Sequence, residues 1–129
     1  MNSFYIGIAG IAGAITRYIV SMISSPLLSG SFPWGTLFCN FLGTIMLSCI
    51  AFSPSIRISE QLRSAITTGF IGSFTTFSAF SFEAFDLFRT GHPIVAVSYI
   101  MVSLWGGLAM AWLGYRLSHR LTPQRRNDL

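Results

Sequence analysis

The chain has 129 residues, of which only 9% are charged, and its formal net charge is +4. A soluble globular domain carries about a quarter charged residues, so this chain has too few charges to cover a surface that faces water. Together with a mean hydropathy of +0.63, this composition predicts a membrane protein in contact with the lipid bilayer. It excludes an ordinary soluble enzyme. The pI near 9.7 does not indicate a nucleic-acid partner, because apolar residues dominate the chain.

Four apolar runs follow one another along the chain, and a membrane span needs about 20 residues. The predicted spans cover about residues 4–23, 34–53, 62–88 and 93–117. Clusters of Ser, Gly and Pro separate them, as expected for turns. The sequence therefore predicts a single all-α domain over residues 1–129 with four transmembrane helices and a polar tail at 118–129.

The third run is longer than one span needs, and its centre looks breakable. Residues 69–83 are rich in glycine and hydroxyl side chains. In lipid, an irregular backbone is tolerated only where protein or a water-filled cavity satisfies its polar groups. We therefore expect the third helix to be broken in the middle, next to an ion site. Ser59 and Glu60 are expected to start this helix, as cap and as first-turn carboxylate.

Two aromatic residues in this segment are candidates for holding an anion. Phe77 and Phe80 are spaced i, i+3 and share a helix face. A phenyl ring has a positive edge, and two edges could hold a small anion weakly enough for it to leave again. Packing explains the same spacing and is the more common reason for it. Four nearby phenylalanines pack equally well, so spacing does not choose among them. They are Phe70, Phe74, Phe82 and Phe85.

Two further polar residues are predicted to lie within the membrane. The Asn40 amide can donate two hydrogen bonds to an anion or join two helices, and both possibilities stay open. Arg17 is costly at membrane depth, so we expect it either to snorkel or to line an aqueous vestibule that attracts anions. Glu83 and Asp86 are expected near an interface, where water solvates them. The remaining polar groups are mostly neutral, which favours passive coordination over a proton relay.

The other features indicate structure rather than chemistry. Cys39 and Cys49 lie in one apolar run and are predicted to be buried free thiols without a metal or a disulfide. Gly10 and Gly13 in the first run, and Gly106 and Gly107 in the fourth, are expected to mark packing faces. No motif of a soluble enzyme is present, so the chain is not expected to be an enzyme.

All eight cationic side chains are arginines, and their distribution predicts the topology. With four spans, Arg89 lies on one side of the membrane and six arginines lie on the other. The positive-inside rule then places both termini in the cytoplasm and predicts a multi-pass protein of the cell inner (plasma) membrane. The six arginines on the predicted cytoplasmic side are Arg57, Arg63, Arg116, Arg120, Arg125 and Arg126.

Three segments in register resemble the Fluc (CrcB) family of fluoride channels. They are GIAGAITRY at residues 10–18, WGTLFCN at 34–40 and TGFIGSFTTFSAFS at 68–81. The resemblance covers nearly the whole chain. It implies a passive, fluoride-selective channel that exports fluoride from the cytoplasm, built as an antiparallel, dual-topology dimer with two pores. The sequence departs from the family pattern at Ser73, where a second glycine is common, at Ala79 and at Gly107.

The resemblance also implies roles for individual residues. Phe77 and Phe80 would be the phenylalanine box, and Asn40 would face the permeating ion. A structural sodium ion at the dimer centre would be held by the backbone carbonyls of Gly72 and Thr75, since oxygen ligands suit a hard cation. A polar track would complete the fluoride pathway. Its members would be Ser78, Ser81, Tyr99 and Ser103.

Two alternatives to this interpretation concern partner and function. In an antiparallel homodimer, identical chains insert in opposite directions, which needs similar numbers of arginines on the two sides of the membrane. The numbers here are six and one. Either the chain inserts both ways despite this bias, or it pairs with an oppositely oriented paralogue. A coupled transporter, such as a small four-helix drug exporter, would need a glutamate in the first span, which has none. A non-transporting assembly subunit would leave the motif of the third span without a role.

Overall fold

A computed structural model describes residues 2–27, 31–53 and 58–121 of the chain. Every regular element in these ranges is helical, so the prediction of an all-α protein is confirmed. In chain order they are α1 (Asn2–Leu27), α2 (Trp34–Phe52), α3 (Glu60–Ser64), a π-helical stretch (Ala65–Ile71), α4 (Gly72–Phe74), α5 (Phe77–Arg89) and α6 (Pro93–Leu121).

Three of these helices are long and apolar enough to cross a membrane. The suitable segments are Ser3–Ser24, Trp34–Phe52 and Pro93–Arg120. At a rise of about 1.5 Å per residue, a helix of about 20 residues matches a hydrocarbon core about 30 Å thick. The chain is therefore a membrane protein. The three segments correspond to the first, second and fourth predicted spans.

The region of the third predicted span consists of shorter helices, so a fourth crossing stays a prediction. Its start is as expected, because the Ser59 hydroxyl oxygen accepts a hydrogen bond from the Leu62 backbone N–H at 3.3 Å. At the other end of the chain, α6 runs to Leu121 and so includes the first residues of the predicted tail. Residues 122–129 and Arg57 lie outside the described residues, and with them part of the predicted arginine asymmetry.

Small residues bring α1 against the π-helical stretch. A methyl group on Gly13 would overlap the carbonyl oxygen of Phe70, and one on Gly69 would lie 2.5 Å from the carbonyl oxygen of Ile6. The two backbones are thus in direct contact. The packing role predicted for the glycines of the first run is confirmed. Gly106 likewise lies under the Phe41 ring, whereas no atom of this chain lies within 4 Å of a methyl group added to Gly107. A packing role for Gly107 stays a prediction.

The buried core lies where α2, α5 and α6 meet, and it contains Leu37, Ala84, Leu87, Ala96 and Tyr99. Elsewhere, large apolar side chains such as Phe77 (80% exposed) and Trp105 (66% exposed) face outward. A single chain that exposes so much apolar surface requires lipid or another subunit to cover it.

Candidate ion site

The backbone is extended at two residues between α4 and α5. Thr75 has φ −80° and ψ 154°, and Thr76 has φ −151° and ψ 125°. We call these two residues the interruption. The Thr75 N–H still donates to the Ile71 carbonyl oxygen at 2.9 Å, but the helical ladder ends there. Inside an apolar bundle, the backbone groups that follow need other partners.

The Asn40 amide provides two of these partners. Its Oδ1 accepts a hydrogen bond from the Thr76 backbone N–H at 2.8 Å, and its Nδ2 donates one to the Thr76 carbonyl oxygen at 3.1 Å. Of the two possibilities for Asn40, the helix-joining contact is therefore present. The second hydrogen on Nδ2 is not needed for it and remains available to a ligand.

Threonine hydroxyls provide further partners at the interruption. The Thr76 hydroxyl oxygen accepts from the Ala79 N–H at 3.2 Å and thereby caps α5, and it lies 3.2 Å from the Ser78 hydroxyl. The Thr75 hydroxyl donates to the Ile71 carbonyl oxygen at 2.9 Å. Helix α2 passes close by at Gly43, where an added methyl group would overlap the Thr75 methyl group.

Arg17 contacts the same region from α1. Its Nε donates a hydrogen bond to the Ser73 carbonyl oxygen at 3.1 Å, and the contact is partly buried. The guanidinium is therefore held against the backbone just before the interruption. This contact places a positive charge next to the candidate site. Neither expectation for Arg17, snorkelling or lining an aqueous vestibule, included it.

A cavity of about 500 Å³ opens beside the interruption, between α2 and α6. Its walls are mostly apolar and include four residues predicted for the anion pathway and one predicted for the sodium site. The Ser103 hydroxyl is buried and has no hydrogen-bond partner among the described residues. The five predicted site residues that line the cavity are Asn40, Phe77, Phe80, Ser103 and Thr75.

The other predicted site residues do not line this cavity. Ser78 and Ser81 are exposed on α5, and Ser78 is bonded to the interruption as described above. Tyr99 is completely buried. Arg17 and Gly72 belong to α1 and α4 and are not among the residues that line the cavity. The single chain therefore assembles part of the predicted pathway and leaves part of it outside.

The structure distinguishes among the phenylalanines that spacing alone could not separate. The ring centroids of Phe77 and Phe80 lie 5.8 Å apart at an interplanar angle of 42°, and both rings line the cavity. Phe80 also packs on Tyr99, with centroids 5.2 Å apart. Phe74 is in contrast only 2% exposed, and Phe82 is 68% exposed and lies away from the cavity.

The expectation that water solvates Glu83 is wrong. Its Oε1 accepts a hydrogen bond from the Thr36 hydroxyl at 2.6 Å, and its Oε2 accepts one from the Tyr99 hydroxyl at 2.8 Å. The carboxylate thus joins α2, α5 and α6 next to the cavity. Helical spacing held a signal for it, because Thr36 precedes Asn40 by one turn and Glu83 follows Phe80 by nearly one turn.

The remaining polar predictions concern surface and thiol residues. Asp86 is on the surface as expected, where its carboxylate is 2.7 Å from the Arg89 guanidinium. Both cysteines are free thiols; Cys39 is buried as predicted, whereas Cys49 is only partly buried. Among residues 2–27, 31–53 and 58–121, no group of three His, Cys, Asp or Glu side chains could hold a metal ion.

Comparison with known proteins identifies the family. Residues 4–115 match the family model described as CrcB-like protein, Camphor Resistance (CrcB). The chain belongs to the CrcB family. The match covers α2, the interruption and most of α1 and α6, so the resemblance noted in the sequence is confirmed.

Relatives within the CrcB family carry a functional name. A protein of Desulfitobacterium hafniense (strain Y51), named fluoride-specific ion channel FluC 1, is 44% identical over 108 residues, which are 82% of this chain and 93% of that protein. FluC 2 of Geobacillus kaustophilus (strain HTA426) is 39% identical over 126 residues, or 96% and 95% of the two chains. FluC 2 of Listeria innocua serovar 6a (strain ATCC BAA-680 / CLIP 11262) is 43% identical over 123 residues, or 94% and 93%. These names describe channels, in agreement with the prediction that the CrcB chain is not an enzyme.

Proposed function

We propose that this chain is a passive, fluoride-selective channel that exports fluoride from the cytoplasm. The names of its relatives support the substrate. The structural observation that carries the proposal is the cavity beside the interruption, where two phenyl rings, one amide and one unpartnered hydroxyl come together. Among the residues that the structure describes, no cationic side chain lines it, so an anion would be held there without the strength of a full positive charge.

Weak donors suit this ion because fluoride is small and strongly hydrated. A pore has to replace its water shell and still let it leave. The spare Nδ2 hydrogen of Asn40, the Ser103 hydroxyl and the edges of Phe77 and Phe80 would share this task. Arg17 would raise the local anion concentration. Hydrogen fluoride crosses lipid uncharged and dissociates inside the cell, so a passive channel lets the trapped anion leave down its electrical gradient.

The rest of the polar track would extend the pathway along α5 and α6. Ser78 and Ser81 would contribute hydroxyls on α5. Tyr99 would contribute its hydroxyl only after giving up its bond to Glu83, because a phenol has a single hydrogen to donate.

The proposed assembly is an antiparallel dimer with two pores. A second chain would cover the exposed Phe77 ring and the open side of the cavity, and this chain would be either another copy or an oppositely oriented paralogue. Residues 60–89 would form a fourth, broken span. The dimer would lie in the cell inner membrane, and both termini of the chain described here would face the cytoplasm.

A structural sodium ion would lie at the centre of the dimer. Backbone carbonyls of Gly72 and Thr75 would hold it, and these positions flank the turn at which the helical ladder is lost. Carbonyl oxygens are suitable ligands for a hard cation. When bound, the ion would hold the two interruptions together by neutralising the carbonyl dipoles that meet there.

A flux assay in sealed liposomes tests the proposal. The purified protein is reconstituted into vesicles loaded with fluoride, a potassium gradient with valinomycin sets the voltage, and a fluoride electrode records efflux. We expect efflux that follows the voltage and ignores an imposed proton gradient. The absence of efflux from a folded sample, also after co-reconstitution with an oppositely biased paralogue, would overturn it in favour of an assembly subunit.

Proton-coupled fluoride transport is the second candidate, and Glu83 is the observation that favours it. A carboxylate between helices is the group that proton-coupled carriers use. In this structure, however, both of its oxygens accept hydrogen bonds from hydroxyls, which suits a fixed structural carboxylate. Efflux driven strictly by the proton gradient in the same assay would select the carrier.

A further inference from the structure

The interruption takes the helical donors from several carbonyl groups, among them those of Gly72 and Thr75. In an α-helix, each backbone N–H donates to the carbonyl oxygen four residues earlier. The donor for Gly72 would be the Thr76 N–H, but Asn40 Oδ1 accepts it at 2.8 Å. The donor for Thr75 would be the Ala79 N–H, but the Thr76 hydroxyl accepts it at 3.2 Å.

Two neighbouring carbonyl groups do receive donors from side chains. Arg17 Nε donates to the Ser73 carbonyl oxygen at 3.1 Å, and Asn40 Nδ2 donates to the Thr76 carbonyl oxygen at 3.1 Å. Side chains on α1 and α2 therefore supply donors to the Ser73 and Thr76 carbonyls and supply none to those of Gly72 and Thr75. The Gly72 and Thr75 carbonyls keep lone pairs for another ligand.

We infer that Asn40 is a positioning residue for the cation site, in addition to its place in the anion cavity. By accepting the Thr76 N–H, it keeps that donor away from the Gly72 carbonyl, which can then face a monovalent cation. This inference rests on the proposed sodium site. It also makes one amide the physical link between the two ions, because the same side chain lines the cavity and fixes the carbonyls.

Removing the acceptor gives a definite expectation. In Asn40→Ala, nothing at this position accepts the Thr76 N–H, so the N–H becomes free to return to the Gly72 oxygen. Loss of a group that orients metal ligands typically lowers metal affinity by about 10–100-fold. We expect the sodium midpoint to rise by at least about ten-fold in this variant.

The experiment measures sodium binding without using fluoride flux. The thermal unfolding of the purified full-length dimer is followed while sodium replaces N-methylglucamine at constant ionic strength. The sodium concentration at half-maximal stabilisation is the readout. A residue with a merely structural role would lower the unfolding temperature equally in both salts and leave this midpoint unchanged.

Companion variants keep the test decisive. Asn40→Ser, whose hydroxyl is too short to replace the amide, should behave like Asn40→Ala and keeps a polar group if the alanine variant does not fold. Asn40→Asp retains an acceptor for the Thr76 N–H and should keep the sodium midpoint at or below the parent value. The matched control is Thr44→Val, because Thr44 lines the same cavity and bonds only within α2, to the Asn40 carbonyl oxygen at 2.7 Å.

The outcomes separate the inference from the function on which it rests. If the parent protein shows no sodium dependence, the sodium site itself is overturned. If the parent responds to sodium and the alanine and serine variants respond at the same midpoint, the site stands and the role of Asn40 is wrong. If the sodium midpoint of Asn40→Asp rises as much as that of Asn40→Ala, the proposed role of Asn40 is also contradicted.

Discussion

Asn40 and Thr76 are joined by two hydrogen bonds, one in each direction, between an amide side chain and a single residue's backbone groups. The pair connects α2 to the interruption between α4 and α5. A contact of this kind fixes the orientation of the peptide groups around it. The following predictions test the features that surround this pair.

The first prediction concerns the Phe80 ring. Phe80→Ile replaces a polar ring edge in the cavity by an aliphatic group of smaller size. We expect fluoride efflux from liposomes to fall by at least about ten-fold, the effect of ~1.4 kcal/mol at the limiting barrier, with the dimer intact by size-exclusion chromatography. The control is Phe82→Ile on the same helix, because Phe82 is 68% exposed and does not line the cavity. Parent-like efflux from Phe80→Ile would remove the ring from the pathway.

The second prediction uses the unpartnered Ser103 hydroxyl. Ser103→Ala removes a buried polar group that has no partner among the described residues, and leaving such a group unpaired costs about 1–3 kcal/mol. We therefore expect the variant to be at least as stable as the parent while its fluoride efflux falls. Ser98→Ala, at an exposed position of the same helix, should change neither quantity. A loss of stability in Ser103→Ala would show that the hydroxyl has a structural partner.

The third prediction concerns Glu83. Glu83→Gln replaces one acceptor oxygen by an amide that donates, so one of the hydroxyls of Thr36 and Tyr99 loses its acceptor. We expect the free energy of unfolding in mixed detergent micelles to fall by about 1–3 kcal/mol. Asp86→Asn, one turn later on the surface, should change it by less than about 1 kcal/mol, as is typical of exposed pairs. Equal effects of the two substitutions would contradict the bonding network.

The fourth prediction tests the close approach of α2 to the interruption. Gly43→Ala would place a methyl group on the Thr75 methyl group, and overpacking of this kind typically costs about 1–3 kcal/mol. We expect a lower unfolding temperature and a weaker sodium response, because the interruption is displaced. Gly7→Ala is the control, since nothing lies within 4 Å of the added group. It should be neutral or stabilising.

The fifth prediction addresses orientation in the membrane. Under the homodimer hypothesis, a labelling tag at the C-terminus should react from both sides of the membrane when the chain is expressed alone. Under the paralogue hypothesis, it should react from the cytoplasmic side only. The measurement uses a membrane-impermeant cysteine reagent on intact cells and on inverted vesicles, with Cys39 and Cys49 replaced by serine to remove the background.

Much of the helical framework could be predicted from the sequence, because long apolar runs and a cap such as Ser59 act locally. The bonds at the candidate site could not, because they join residues that are far apart in the chain. Thr36, Glu83 and Tyr99 come from three different helices. Helical spacing places Thr36 near Asn40 and Glu83 near Phe80, but it does not relate one helix to another. For the same reason, the partners of Asn40 stayed open until the position of Thr76 was known.

The backbone contact between Gly13 and Phe70 has a mechanical consequence. Main-chain atoms cannot rotate out of the way as side chains do, so α1 and the π-helical stretch form a rigid wall. Helices α5 and α6 meet largely through side chains such as Phe80 and Tyr99, and these can change rotamer. Any breathing movement that lets an ion pass should therefore occur on the α5–α6 side, while the opposite wall keeps its shape.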